Sequence, residues 1–375
     1  KNPATHTAAF SLPPLVLKNH EGASLTIYIR TMKLIEKIFR YFRLAAVLSA
    51  VALTSALVSC DSVIYEKEED CNYYVHFKYD YNMKWADAFS HEVSLVTLYV
   101  IDPQSGRIIW RKTESGKKLS ASGYAMSVDV EPGRYDLIAW CGVENPKSFK
   151  IADADQKTGL TATLDRETDD NDGSAHVRGE VDRLYYGHLD NQTFGHDNYH
   201  FTVPLIKNTN TIRVVLQHLS GEPVPESMFT YTVTDDNGLL DWNNGVLEDR
   251  TLTYHAWHTD SGSAEIEPPA DISSTRTAYS TAVAEFTVSR LMKGHAPAAR
   301  LIVRRADNGE KVININLIDA LLLVKGHYNR EMSDQEYLDR QDEYSLTFFL
   351  DEGFRWLNAC VHINSWYVVL QETQL

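Results

Sequence analysis

CNYYVHFKYD, residues Cys71–Asp80, has a period of two: Tyr73, Val75, Phe77 and Tyr79 alternate with Tyr74, His76, Lys78 and Asp80. Successive side chains of a strand point to opposite faces, so the segment predicts a β-strand with one buried and one wet face. Downstream, Val93–Ile101 (VSLVTLYVI) is apolar at both parities and rich in β-branched residues, as a core strand of a sandwich would be. The turn Asp102-Pro103-Gln104-Ser105-Gly106 returns the chain into a strand over Arg107–Arg111. Further strands are expected at Tyr124–Val130 and Asp136–Cys141, separated by the turn Glu131-Pro132-Gly133-Arg134-Tyr135. From Asn145 to Tyr199 the sequence is loop-rich, with short strands at Leu160–Leu164 and Leu184–Tyr186. Phe201, Val203 and Leu205 close this series, and Pro204, which lacks an N–H, places their strand at a sheet edge or at its end.

A polar turn at Lys207–Asn210 precedes a second all-β series. It begins with Thr211–Gln217 and continues with Phe229, Tyr231 and Val233, the turn Asp235-Asp236-Asn237-Gly238, and strands at Ala282–Ser289, Leu301–Arg304 and Val312–Leu317. Asp307-Asn308-Gly309 reads as a hairpin turn in which both Asn and Gly can take positive φ. Ser333-Asp334-Gln335-Glu336 has the spacing of a capping box and predicts a short helix through Arg340. Strands return at Tyr344–Leu350 and Trp356–Ile363. In the tail, Trp366, Val368 and Leu370 share one face and Tyr367 and Val369 the other. A strand apolar on both sides is either the last strand of its own domain or one donated to another subunit by β-strand addition. The expected organisation is all-β: one sandwich over residues 71–206 and a second over 207–375.

Upstream, Asp61–Asp70 is acidic, lacks a folding pattern, and reads with Cys60 as a tether over residues 60–70. Lys67-Glu68-Glu69-Asp70 resembles the acidic signals that send lipoproteins to the cell surface. Before the tether lies Leu44–Cys60, LAAVLSAVALTSALVSC, without a charged residue. It is shorter than the ~20 residues a membrane-spanning helix needs and suits the apolar region of a secretory signal. Met32, Lys33, Lys37, Arg40 and Arg43 supply a start and a basic lead-in, so residues 32–59 read as a signal peptide and residues 1–31 as an upstream extension. Leu57-Val58-Ser59-Cys60 resembles a bacterial lipobox, with cleavage expected between Ser59 and Cys60 and lipid attachment at Cys60. A thiolate is the nucleophile such a modification requires. Each buried CH₂ of an attached chain contributes ~0.8 kcal/mol, so two or three chains hold a protein on a membrane without spanning it.

The net charge of -15 and the pI of about 5.4 are those of an exported surface and exclude a nucleic-acid partner, whose phosphates demand Lys and Arg clusters. Cys71, Cys141 and Cys360 are too few and too scattered for a disulfide framework and read as buried thiols. His188, His196 and His200, with Asp190 and Asp197, are the best metal-site candidate, but their spacing matches no zinc motif. Asp169–Gly173 (DDNDG) fails the EF-hand pattern at its first and twelfth positions, Thr168 and Gly179. No metal and no cofactor are expected. Nucleophile elbow, H-E-x-x-H, phosphate-loop and dinucleotide motifs are absent, so no catalytic residues are assigned. Trp242 or Trp257 could form a sugar-stacking platform, although tryptophans on β-rich domains mostly pack.

Several stretches in order resemble the FimB-type fimbrial anchor family within the fimbrillin superfamily. They are the lipobox, Phe77–Met83, Ala86–Phe89, Val96–Val100, the Pro132-Gly133-x-Tyr135 hairpin that also resembles transthyretin-like sandwiches, Asn210–Leu216, Asp235–Gly238, Ala284–Thr287 and Ile363–Trp366. The resemblance implies two tandem transthyretin-like β-sandwiches, lipid-anchored to the outer membrane at the base of a surface fimbria. It implies fimbrial stalk subunits as partners through β-strand addition, with Trp366, Val368 and Leu370 as candidate donor residues, and no enzymatic activity. A carbohydrate-binding surface lipoprotein, a fimbrial tip adhesin and a lipid-anchored glycosidase are the competing readings.

Overall fold

The computed structural model describes residues 73–218, 222–266, 277–326, 329–364 and 366–369. They lie within a compact unit running from Asp70 to Leu375. Ser59, Cys60 and Leu370, and with them the signal peptide and tether, lie outside the described residues.

The first strands are β1 (Tyr73–Lys78), β2 (Leu95–Ile101), β3 (Ile108–Ser115), β4 (Met126–Val128) and β5 (Gly133–Gly142). Four short ones follow, β6 (Phe149–Ile151), β7 (Ala162–Leu164), β8 (Glu167–Thr168) and β9 (Ala175–Val177), then β10 (Leu184–Phe194) and β11 (Tyr199–Lys207). A seven-stranded sheet has the order β3-β2-β5-β10-β11-β1-β4. In β1, Tyr73, Val75 and Phe77 are buried and Tyr74, His76 and Lys78 are not, as the alternation requires. The buried set packs with Val96, Leu98 and Val100 of β2 and Leu137, Ala139 and Cys141 of β5. The opposite parity of β2 and β5, Tyr99, Ile101, Ile138 and Trp140, belongs with Tyr186 of β10 to a second core. That is why VSLVTLYVI carries apolar residues at both parities.

The second series comprises β12 (Thr209–His218), β13 (Phe229–Asp235), β14 (Leu239–Leu240), β15 (Leu252–His255), β16 (His258–Ile266) and β17 (Thr277–Ser289). It ends with β18 (Arg300–Arg305), β19 (Lys311–Asn316), β20 (Glu343–Leu350), β21 (Trp356–Ile363) and β22 (Trp366–Val369). Two six-stranded sheets, β16-β17-β12-β20-β21-β22 and β19-β18-β13-β15-β9-β8, form the layers of a sandwich. Ile212, Val214, Phe286, Leu346 and Phe348 of one layer meet Tyr231, Val233, Tyr254, Leu301 and Ile313 of the other in one core.

The sheets do not respect a division at residues 206/207. β9 pairs in parallel with β15, β8 extends the same sheet, and β7 pairs with β14. Residues between 149 and 177 therefore complete the second sandwich. Their apolar members, among them Phe149, Leu160, Leu164, Ala175 and Val177, are buried in its core. In the loop-rich stretch the sequence signal is weak because these strands have only two or three residues, and alternation cannot show in so few.

Three other expectations are corrected. β11 is an interior strand, with β10 on one side and β1 on the other. Pro204 is the last residue paired with β1, and pairing with β10 begins at Leu205, so the missing N–H falls where one ladder ends and the next starts. In the β18–β19 turn only Gly309 has positive φ (72°), and a register shift follows Val303, so the turn is bulged and not a two-residue one. Finally, Leu317, expected in a strand, opens helix α2 (Leu317–Leu322), capped by the Asn316 side chain accepting from Asp319 N. A four-residue helical turn, α1 (Phe89–Glu92), and the predicted helix, α3 (Asp334–Arg340), complete the helices used below. Ser333 Oγ accepts from Glu336 N at 3.0 Å, which is the first half of the capping box. Glu336 itself turns to Arg340 instead of back to Ser333.

Candidate assembly site: the terminal hairpin and the joint

β21 adds antiparallel to β20, and β22 adds antiparallel to β21 with Ile363 opposite Trp366 and Val361 opposite Val368. β22 is the last strand of its sheet, and among the described residues no strand pairs with its outer edge. Trp366 and Val368 therefore lie on an edge strand whose backbone presents unpaired ladder groups. Asn364 fixes the root of this hairpin. It takes the left-handed conformation (φ 54°), accepts from Ser345 N at 2.8 Å through its side chain, and donates its own N–H to Ser345 O at 2.7 Å.

Between the sandwiches the chain builds a buried polar joint. Asn208 and Asn244 exchange side-chain hydrogen bonds of 2.6 and 3.1 Å. The Arg290 guanidinium grips Asp339 at 2.9 and 2.7 Å and also donates to Asn244 O. Asn237 donates to Ser289 O and Arg290 O, while its own oxygen accepts from Tyr254 OH at 2.6 Å. Lys207 reaches a carboxylate of each half, Asp342 at 2.7 Å and Glu92 at 3.4 Å. Burial pushes the Glu92 carboxyl up, but the Tyr185 hydroxyl and the Lys207 ammonium hold it below its ordinary value. On the same joint Arg340 of α3 lies between the rings of Tyr81 (3.9 Å) and Trp85 (3.8 Å), and Arg340 O accepts from Met83 N. The donors named here are each matched to an acceptor, which favours one local geometry at the joint, while the neighbouring Thr209 and Ser289 hydroxyls are buried without a hydrogen-bond partner among the described residues.

The histidines singled out from the sequence are not brought together. His188 joins Asp136 and Asp190, His200 joins His76, and His196 is exposed in the β10–β11 turn. The Lys157 ammonium already lies 3.3 Å from Asp136 and 4.6 Å from the Trp242 ring centroid. Trp242 is half-buried, with His188 also against it, so its ring is a poor sugar platform; Trp257 is 37% exposed. Asp169–Gly173 is an exposed turn closed by Asp169 O accepting from Gly173 N.

Sequence reading misses the environment of Asp235 and Asp236. Both are buried at the end of β13, with His295 against Asp236. Burial lifts the Asp235 carboxyl to about 7, the Asp236 N–H bond opposes the rise, and the Asp236 charge adds to it. The composition DDNG resembles a solvated turn, and nothing local reveals that Arg290 and β17 cover it. Surface hollows lined by Asp165, by Asp87 and by Asp102 each hold a single carboxylate, without the facing pair a glycosidase needs. Among the described residues no helix is long and apolar enough to cross a membrane.

Comparison with known proteins agrees with this architecture. The family described as fimbrillin-A associated anchor proteins Mfa1 and Mfa2 matches residues 68–372. The minor fimbrium anchoring subunit Mfa2 of Porphyromonas gingivalis is 25% identical over 283 residues, 72% of this chain and 78% of that protein. A crystallised candidate adhesin of Bacteroides thetaiotaomicron is similar at 35% identity and a TM-score of 0.71, covering 80% of this chain and 97% of its own. Another structure from that organism, described as candidate polysaccharide-binding proteins, shares 30% identity with a TM-score of 0.68, covering 81% and 100%. The match is to the Mfa2-type anchors and does not single out the FimB type. With all-β layers throughout and the family match running from the start of the first sandwich to the terminal hairpin, the chain belongs to the fimbrillin-A associated anchor protein family, Mfa1 and Mfa2.

Proposed function

We propose that this protein is the lipid-anchored base subunit of a surface fimbria, of the FimB type within its family. It holds the polymer to the outer membrane through Cys60 and limits its release and thereby its length. The observation that carries the reading is Leu57-Val58-Ser59-Cys60, at the end of an uncharged apolar run and directly ahead of a chain of the anchor family. Stalk subunits would join by β-strand addition at the terminal hairpin. An edge strand such as β22 can accept a strand on its outer side or leave β21 and pair elsewhere, with Trp366, Val368 and Leu370 as the residues engaged.

Replacing Cys60 with Ala tests the anchor. Membrane fractions should lose the protein and fimbriae should appear in the medium; retention of both on the membrane would overturn the proposal. In the same cells, a photo-crosslinker at Val368 or Leu370 should capture a second polypeptide, whereas internal crosslinks alone would keep the tail in its own sandwich.

A carbohydrate-binding or tip-adhesin role has the exposed Trp257 and the adhesin description of a relative in its favour. Trp257-dependent binding on a glycan array would favour it over anchoring.

A further inference from the structure

The wet faces of β1 and β11 carry a feature that anchoring does not use. The two strands are parallel neighbours, with Tyr74 beside His200 and His76 beside Thr202. This register brings His76 Nε2 to 3.1 Å from His200 Nδ1, on the exposed side of the sheet. His76 Nδ1 lies 3.0 Å from Tyr124 O. A carbonyl oxygen only accepts, so Nδ1 carries the proton and Nε2 of the neutral ring presents a lone pair to His200. The His200 ring lies nearly parallel to Tyr74 (5.2 Å, 22°), and it meets His76 edge to edge in nearly the same plane (5.4 Å, 20°), nitrogen toward nitrogen.

We propose that His76 and His200 chelate a divalent transition-metal ion of the Zn²⁺, Ni²⁺ or Cu²⁺ class, which replaces the proton the two rings share. Metal–imidazole bonds are ~2.0–2.1 Å long, so two of them at a tetrahedral or right angle place their nitrogens roughly 2.9–3.4 Å apart. The observed separation lies in that range. The hydrogen bond from Nδ1 to a backbone carbonyl is the support that metal-bound histidines ordinarily receive. Imidazole nitrogens without a carboxylate select borderline transition ions over Mg²⁺ and Ca²⁺. Lys78, two residues on along the same face of β1, is engaged by Asp80 at 2.6 Å. The hollow beside His76, lined by Ser122, Tyr124 and Thr202, leaves room for water to complete the coordination.

A second histidine couple sharpens the assignment. His176 Nδ1 and His255 Nε2 are also 3.1 Å apart, between β9 and β15. There burial first, and the Arg178 charge after it, disfavour positive charge at His255, and the outer nitrogen of His176 faces Ser174 Oγ in place of a carbonyl. The ion should therefore choose the first couple.

The test is calorimetric titration of the full chain with ZnCl₂ and NiCl₂, beside His76→Phe, His200→Phe, the double variant and His255→Phe. Phenylalanine keeps a flat ring of similar bulk without a ligating nitrogen, and circular dichroism in EDTA checks that each variant is folded. One site is expected in the unchanged protein and in His255→Phe. Loss of one of two ligands should weaken binding about tenfold or more, at least as much as loss of an outer-shell partner does. Substoichiometric Cu²⁺ should broaden amide NMR signals around Tyr74–Lys78 and His200–Thr202. Absence of binding, binding unchanged in the double variant, or broadening centred on His176 and His255 would each overturn the proposal.

Discussion

Asp235 shows how a single side chain can set the pH response of the fold. Its carboxyl titrates at about 7 because it is buried, whereas in the unfolded chain an aspartate titrates near ~3.9. Between these values the unfolded state has released the proton and the folded state has kept it. The folded state binds more protons, so this residue makes stability fall as pH rises from roughly 4 to 7. An asparagine in its place would keep an acceptor for Asp236 N and remove the titration. Asp235→Asn should therefore stabilise the protein at pH 7.5 by of order 1–3 kcal/mol and change little at pH 4. Urea unfolding at both pH values reads this directly; an equal shift at the two would show that Asp235 is not the group responsible. His76 and His200, 124 positions apart in sequence, make the same point about legibility. The sequence marks each as a polar residue on a strand, and only the parallel β1–β11 register turns them into neighbours.

Strands declare themselves in the sequence wherever one face is wet. β1, β13 and β20 alternate cleanly and lie where the alternation predicts. For β10 the sequence predicts only Leu184–Tyr186, but the strand runs for 11 residues to Phe194, with a register shift between Leu189 and Gln192. Its second half, HLDNQT, has the composition of a loop because both of its faces reach solvent or the polar cluster at Asp136. β10 also owes its close approach to β11 to one glycine. A Cβ at Gly187 would run into Val203 Cγ1 and stand 2.7 Å from Pro204 O. Rotation could relieve the valine contact, but the carbonyl belongs to the backbone. Gly187→Ala should cost about 1–3 kcal/mol through forced separation of the strands. A urea midpoint within error of the unchanged protein would refute the close-packing account.

At the scale of the molecule, the first half of the chain lends strands to the second sandwich. β9 covers the edge of β15, β8 follows it, and β7 pairs with β14. Without residues 149–177, a fragment starting at residue 207 would expose the β15 edge and part of the core around Leu252 and Tyr254. The fragment 207–375 should therefore lack a cooperative thermal transition, while a chain from residue 61 unfolds in one calorimetric step. Two resolved transitions in the longer chain, or a cooperative fragment, would show that the halves are independent. Composition, alternation and turn chemistry determined the all-β class, the succession of most strands and the α3 cap, because these depend on contacts between residues near in sequence. Which strands share a sheet was decided only by tertiary structure. So were the burial of Asp235 and the joint at Asn208, Asn244, Arg290 and Asp339. Outside the hairpins, pairing partners lie tens to hundreds of residues apart, and their selection rests on covering apolar faces while giving most buried polar groups a partner.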